Sequence, residues 1–256
     1  MLVKMNTRFL LIFFLFALMI PEAPGFKVVP RQRYRLEFEA RAVKNIYPEE
    51  FRCYGVKLEY PGVEMNFTDS KGRKYVRLAK GSFFNLHSGE FVPGVIEFYA
   101  GEGVKKVTLT PRDAEIRNAR LVPVNGEKNL AIPLDYRRSG QIRDYFITPG
   151  VPGKAVFDVC DGKIYGDPIP IRGGKRYRLT VDGYAGYRRG LTMGLEFYTH
   201  DRGGTKAAVR GSRAQIRING KSRHLTYNFV VPERAKWLRV TLMWGYVLDY
   251  KVEEIN

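Results

Sequence analysis

The feature that most constrains the fold is a strand pattern that occurs twice. Residues 176–181 read Arg-Tyr-Arg-Leu-Thr-Val, and the same Arg-Tyr-Arg-Leu begins at Arg33. Alternation of apolar and polar side chains is typical of a strand with one buried face and one solvated face. We therefore expect Tyr177 and Leu179 to lie in a core and the arginines beside them to face outward.

Turn residues divide the rest of the chain into many short segments. Glycine and proline recur between alternating stretches, and no stretch keeps a helical period over three turns. We predict an all-β fold, with two tandem antiparallel β-sandwich (jelly-roll) domains after an N-terminal signal peptide. The predicted domains are residues 26–124, the more divergent one, and residues 125–256.

Three landmarks support a duplicated unit. They keep their order along the chain at offsets of 143, 132 and 133, as a tandem repeat would. Chance identity among β-rich segments is the alternative, because each match is short. The matches are Arg-Tyr-Arg-Leu, Asp69…Gly72…Lys74 with Asp201…Gly204…Lys206, and Val107-Thr108-Leu109 with Val240-Thr241-Leu242.

The N-terminus has the composition of a secretory signal. Lys4 and Arg8 precede an uncharged apolar run over 9–20, and Ala23 and Gly25 are small. A run of this length is shorter than a membrane-spanning helix requires. We predict a signal peptide over residues 1–25, cleaved after Gly25, with a retained N-terminal anchor as the alternative. Either interpretation makes the protein secreted or cell-surface.

The charge balance indicates the class of partner. Lysine and arginine number 43 against 26 acidic residues, a formal net charge of +17. Such a field attracts anions, including acidic glycans, nucleic acid and anionic lipid. Plain solubility is the alternative, because the charges are spread along the chain. A secretory signal and the lack of a basic helix argue against nucleic acid.

Little in the sequence indicates catalysis or a metal centre. The three histidines, His87, His200 and His224, lie in no nucleophile motif and no metal-spaced pair. We therefore predict a protein that is not an enzyme and needs no cofactor. A structural calcium ion would use loop carboxylates such as those of Asp158, Asp161 or Asp249. Cys53 and Cys160 either form a disulfide or stay buried as free thiols.

Aromatic and basic residues occur together in two predicted loops of the second half. Tyr and Trp rings stack on the apolar faces of sugars, while guanidinium groups pair with carboxylate or sulfate. The alternative is that the rings close the ends of the sandwich and the cations are solvated. The candidate ligand-binding residues are Tyr184, Tyr187, Arg188, Arg189, Trp244 and Tyr246.

The second half contains two further motifs, Gly-Gly-Lys-x-Tyr-x-Leu at 173–179 and Val-Pro-x-x-Ala-x-Trp at 231–237. Through them it resembles the galactose-binding-like jelly-roll carbohydrate-binding modules of families 4, 9 and 22. The resemblance covers 125–256 and extends poorly to the first half. The resemblance implies a jelly-roll fold and makes a polysaccharide or glycan the expected partner.

Two functions follow from these observations. The first is a secreted, non-catalytic carbohydrate-binding protein that binds sugar through loop aromatics and arginines, with an anionic polysaccharide fitting the net charge. The second is a structural or adhesive cell-envelope or filament-forming protein that self-associates at the cell surface and has no sugar site.

Overall fold

The fold is all-β, as the sequence predicts. The computed structural model describes residues 25–43, 62–82, 90–112, 114–132, 146–147, 157–158, 163–185, 191–201, 207–209, 214–218, 224–243 and 245–256. Every regular element in these ranges is a β-strand. No helix in them is long and apolar enough to cross a membrane. The strands form two antiparallel β-sandwiches in tandem, which confirms the predicted fold class.

The first sandwich pairs a four-stranded sheet with a three-stranded sheet. The strand orders are β1-β6-β3-β4 and β5-β2-β7, and every pairing is antiparallel. Within the described ranges its strands are β1 (Gly25–Lys27), β2 (Arg33–Ala42), β3 (Gly62–Asp69), β4 (Lys74–Ser82), β5 (Val92–Tyr99), β6 (Val104–Arg112) and β7 (Ala114–Val124).

The second sandwich consists of two larger sheets. Their orders are β10-β16-β13-β14, with β11 also on β16, and β15-β12-β17-β9-β8. The described strands are β8 (Phe146–Ile147), β9 (Phe157–Asp158), β10 (Lys163–Tyr165), β11 (Ile169–Pro170), β12 (Arg176–Ala185), β13 (Leu191–Tyr198), β14 (Ala214–Ile218), β15 (His224–Val230), β16 (Trp237–Met243) and β17 (Gly245–Ile255).

The two sandwiches share one strand topology. Strand β2 pairs with β5 and β7 as β12 pairs with β15 and β17, and β3 pairs with β4 and β6 as β13 pairs with β14 and β16. The hydrogen bonds of the turns correspond as well. Tyr34 Oη accepts the amide of Val29 (2.8 Å), and Tyr177 Oη accepts the amide of Arg172 (3.0 Å).

This correspondence corrects one landmark of the proposed repeat. Val107 pairs with Phe67, and Leu238 pairs with Phe197 at the same place in the second sandwich. Val107 therefore corresponds to Leu238, two residues before the Val240 that the sequence match selects. A shift of two residues preserves the inward and outward alternation of a strand. The two Val-Thr-Leu tripeptides therefore match in sequence although they occupy different register positions.

The alternation of the repeated motif is confirmed. Tyr177 and Leu179 are buried, whereas Arg176 and Arg178 are exposed. In each sandwich the motif tyrosine stacks on a phenylalanine of the neighbouring strand. The ring centroids are 5.8 Å apart for Tyr34 and Phe98 in the first sandwich, and 6.0 Å apart for Tyr177 and Phe229 in the second.

A third apolar cluster joins the sandwiches. Tyr99 comes from the first, Ile132 follows it, and Tyr198, Ala207 and Trp237 come from the second. Trp237 is fully buried.

One polar residue of the first sandwich also bridges this contact. The Arg31 guanidinium lies 5.4 Å from the centroid of the Trp237 ring, and its Nη2 donates to the carbonyl oxygen of Ile171 (3.0 Å). Arg31 has a φ of 66°. Its counterpart in the second sandwich is a glycine, Gly174, with a similar φ of 74°. Because a side chain at positive φ costs energy, the contacts of Arg31 with the second sandwich offset that cost.

One predicted strand is absent from the structure, and several other predicted features fall outside the described residues. Residues 130–132 are read as a short strand from the sequence, but they form none. Ala131 instead packs in the second core. Features that fall outside the described residues are residues 1–24 of the predicted signal peptide, His87, Cys53, Cys160 and Asp161.

Candidate functional site

The backbone brings two of the predicted binding residues together. The expectation that Tyr184 and Tyr246 lie in loops is wrong, because backbone pairing extends both strands through them. Tyr184 lies near the end of β12 and Tyr246 near the start of β17, and the two are register partners. The structure describes the backbone of these two tyrosines but not their side chains. Four other candidates lie entirely outside the described residues: Tyr187, Arg188, Arg189 and Trp244. This end of the sheet remains a predicted binding surface.

A groove lies at the other end of β12 and is lined by residues that the structure describes. It lies where edge strand β15 meets the core of the second sandwich, it is open to solvent, and its volume is about 350 Å³. We call it the edge groove. Its apolar lining is Leu195, Phe197, Tyr227, Phe229, Val230 and Pro232, and its polar lining is Arg176 and Asn228.

A series of stacked rings forms the floor of the edge groove. Tyr227 is half-buried and stacks on buried Phe229, with centroids 6.3 Å apart and planes 15° apart. Phe229 in turn contacts Phe197 with centroids 5.9 Å apart. Because the two phenylalanines are held in the core, Tyr227 is a rigid ring that carries a polar hydroxyl.

The polar rim belongs to the outward face of the sheet. Arg176 and Arg178 follow each other on that face of β12, and Asn228 is the register partner of Arg178 on β15. Arg178 Nε donates to Asn228 Oδ1 (3.2 Å). Amide and guanidinium groups of this kind bind sugar hydroxyls and carboxylates, so the rim and the floor together suit an amphipathic ligand.

The corresponding place in the first sandwich is covered by the chain itself. Val230 is 61% exposed, but its counterpart Tyr99 is buried and its hydroxyl donates to the carbonyl of Leu130 (2.8 Å). Arg33, the counterpart of Arg176, donates through Nη1 to the carbonyl of Asn129 (2.9 Å). A groove of this shape is therefore open in the second sandwich and filled in the first.

Sequence reasoning does not find the edge groove. Residues 224–230 form an ordinary alternating strand, and nothing marks Tyr227 as more exposed than its neighbours. An alignment of the two halves in the correct register would have shown Asn228 in place of Glu97. The two-residue slip near Val107 shows why short matches cannot supply that register.

Comparison with known proteins finds only distant structural likenesses. The sequence matches no protein-family model and no curated protein. Among solved structures, it is similar to an N-terminal CBM22-1-CBM22-2 tandem domain of Xyn10C from Paenibacillus barcinonensis, at 9% identity and a TM-score of 0.28, over 91% of this chain and 83% of that chain. The ANXUR2 extracellular domain and the ANX2 ectodomain, both from Arabidopsis thaliana, match at 8% and 10% identity with TM-scores of 0.24 and 0.25. These matches cover 91% and 92% of this chain, and 80% and 82% of the respective Arabidopsis chains. Likenesses this distant carry no argument about a ligand.

A second cavity, of about 310 Å³, lies between the sandwiches. Its carboxylates hold the local backbone. Asp69 Oδ1 accepts the amides of Lys71 and Arg73, and Asp201 Oδ1 accepts the amide of Glu102. Burial acts to raise the pKa of Asp69, but the hydrogen bonds from Arg73 and Lys71 outweigh it and lower the pKa to about 2. These groups stabilise turns, so the cavity is a weaker candidate than the edge groove.

The predicted calcium ligands are not brought together in what is described. No group of three His, Cys, Asp or Glu residues in the described ranges is arranged to hold a metal ion. Asp249 Oδ1 accepts the amide of Tyr250 (2.8 Å), and Asp158 lies in β9. His224 Nδ1 is 2.7 Å from Asp182 Oδ1 on the exposed face of the second sandwich.

Proposed function

We propose that this chain is a secreted or cell-surface, non-catalytic glycan-binding protein, and that the edge groove contacts the sugar. The observation that carries the proposal is the open groove with the rigid ring of Tyr227 as its floor and Arg176 and Asn228 at its rim. A sugar ring has an apolar face for the tyrosine and hydroxyl groups for the amide and the guanidinium.

The charge of the protein favours an acidic polysaccharide over a neutral one. The net charge of +17 raises the local concentration of a polyanion and speeds its encounter. Screening weakens this effect as salt rises, whereas contacts inside a groove are less sensitive. Salt dependence therefore separates a groove-bound glycan from one held by charge alone.

The aromatic and basic residues predicted from the sequence as ligand-binding supply a second contact surface in this proposal. Tyr184 is eight residues along β12 from Arg176, roughly 26 Å at the rise of an extended strand. A polysaccharide could span that distance along the sheet, with one surface at each end. Removing a ring at either end then weakens polymer binding.

The proposal predicts a defined result in affinity gel electrophoresis. Neutral and uronate-containing polysaccharides are cast into native gels, and retardation of the wild type is compared with that of Tyr227→Ala. We expect Tyr227→Ala to weaken binding about 5- to 150-fold, by comparison with the about 1–3 kcal/mol that an aromatic ring contributes when it stacks on a nucleic-acid base. Tyr187→Ala and Trp244→Ala test the other end.

The matched control is Val95→Ala, which shortens an exposed side chain on the first sandwich. The proposal is wrong if the wild type migrates freely through every polysaccharide. In that case a stable oligomer on sizing would favour a structural, self-associating protein.

A further inference from the structure

The second sandwich lacks a carboxylate that the first one carries. In the first, the carboxylate of Glu97 bridges two arginines of β2. Arg33 donates from Nε (3.1 Å) and Nη2 (2.5 Å) to Oε2, and Arg35 donates from Nε (2.9 Å) and Nη2 (2.7 Å) to Oε1. Each carboxylate oxygen thus receives one guanidinium, which is a strong geometry for this pair.

The same two arginines recur in the second sandwich without the acid. Arg176 and Arg178 occupy the positions of Arg33 and Arg35, and Asn228 occupies that of Glu97. An amide carries no charge and accepts through one oxygen, which here receives Arg178 Nε. Among the residues that the structure describes, none forms an ion pair with Arg176 or Arg178.

The surrounding charges leave this place positive. Glu253 is the register partner of Arg178 on β17, and Lys251 follows on the same outward face. Ile255 and Val230 flank Arg176 in register, so neither neighbour of Arg176 is acidic. Among the described residues in register with the two arginines, Glu253 is the one acid, and with Lys251 counted this part of the face keeps a formal charge of +2, since two arginines and one lysine stand against one glutamate.

We propose that Arg176 and Arg178 bind a carboxylate of a uronic acid in the glycan, in the place that Glu97 fills in the first sandwich. This subsite rests on the proposed function, because it adjoins the edge groove through Arg176 and Asn228. The ligand carboxylate takes one guanidinium on each oxygen, and the sugar ring continues toward Tyr227. Glu97 is the internal precedent for this geometry.

The contact of Glu97 with Arg33 and Arg35 shows that this geometry stabilises an ionised carboxylate. Burial acts to raise the pKa of Glu97, but the hydrogen bonds from Arg33 and Arg35 outweigh it and hold the pKa below its usual value. The arginine pair thus favours the ionised acid even in a half-buried place. A uronate would gain a preference of the same sign over a neutral sugar of the same shape, reduced by solvent screening because Arg176 and Arg178 are exposed.

The test uses isothermal titration calorimetry with the full chain and two matched ligands. These are oligogalacturonate and its carboxyl-reduced form, at about 150 mM ionic strength, where exposed charges are screened beyond roughly 8 Å. We expect the double variant Arg176→Ala, Arg178→Ala to bind oligogalacturonate about 10- to 100-fold more weakly, as for a lost charge-assisted contact. The carboxyl-reduced form, which keeps only its hydroxyl contacts with the rim, should lose less affinity in the same variant, so the preference for oligogalacturonate over the reduced form should fall.

Asn228→Glu is the sharper variant, because it rebuilds the first-sandwich arrangement. We expect the new carboxylate to occupy both arginines and to weaken oligogalacturonate binding to the same extent. Val43→Glu adds an equal charge at an exposed place on the first sandwich and should leave binding unchanged. Circular dichroism and the melting temperature verify that each variant is folded.

Three outcomes would overturn the subsite. The first is unchanged oligogalacturonate binding in Asn228→Glu and in the double alanine variant. The second is full affinity in the double variant Arg176→Lys, Arg178→Lys, since charge without the planar fork would then suffice. The third is binding of a glutamate-rich peptide without any binding of oligogalacturonate. If wild type and variants bind both sugars equally, the glycan proposal survives without the subsite, whereas no binding of either sugar removes both.

Discussion

Replacing Trp237 by alanine is expected to lower the free energy of unfolding by about 3–5 kcal/mol. The indole is fully buried in the cluster that joins the sandwiches, and the Arg31 guanidinium lies over it. A loss of this size is a large share of the roughly 5–15 kcal/mol that stabilises a typical native protein. Because the cluster draws on both sandwiches, we also expect them to unfold separately in the variant.

Differential scanning calorimetry measures both effects. The expected result is a transition that moves to lower temperature and divides into two. Val230→Ala is the matched control, because Val230 is exposed and its truncation should stay within about 0.5 kcal/mol of the wild type. A single transition at the wild-type temperature would show that the cluster does not couple the sandwiches.

Replacing Gly173 by alanine is expected to cost at least about 3 kcal/mol, in the upper part of the range for overpacking. A Cβ at this position would lie 2.1 Å from the carbonyl oxygen and 2.7 Å from the carbonyl carbon of Glu233. Both are backbone atoms, so the turn between β11 and β12 would have to separate from the segment after β15. That turn then loses its two backbone hydrogen bonds to the segment, from the amide of Gly174 to the carbonyl of Val231 and from the amide of Val231 to the carbonyl of Lys175.

Two other glycines provide a graded comparison. Gly174 has a φ of 74°, and its Cβ would meet the Glu233 side chain, which can move, so Gly174→Ala should cost less than Gly173→Ala. Gly126 has a φ of 77° with open space around it, so Gly126→Ala should cost only about 1–2 kcal/mol. Urea denaturation gives the three values. Equal costs at all three positions would contradict the close approach at Gly173.

Local alternation predicts the strand of the repeated motif and the face that it buries. The apolar positions of Arg-Tyr-Arg-Leu are buried in both sandwiches because a period of two admits one buried face. The turn at Asp69 was predictable for a similar reason, since Gly72 supplies the positive φ that joins β3 to β4. These features depend on residues close together in sequence.

The register between strands that are distant in sequence could not be predicted from local alternation. The slip at Val107 and Val240 preserves alternation, so no local pattern reveals it. Residues 130–132 have an apolar pattern like that of a strand, but Ala131 and Ile132 pack into two different clusters instead. The edge groove depends on which strand lies at a sheet edge, and that is a property of the whole topology.

The contrast between Glu97 and Asn228 has the same origin. Each is an ordinary polar residue of its own strand, and only the register with β2 and β12 shows that they face equivalent arginines. The arginines themselves are conspicuous in the sequence, where they indicate outward-facing positions. Their partners decide whether the face is closed by the protein or left for a ligand.

The most direct measurement is an NMR titration of the ¹⁵N-labelled protein with oligogalacturonate. We predict saturable shifts of the Nε–H signals of Arg176 and Arg178 and of the Asn228 side-chain amide, with the signals of Arg33 and Arg35 unmoved. Amides of β15 beside Tyr227 should follow the same saturation curve. The account is contradicted if these signals stay in place at saturating ligand, or if all exposed arginines shift together without saturation.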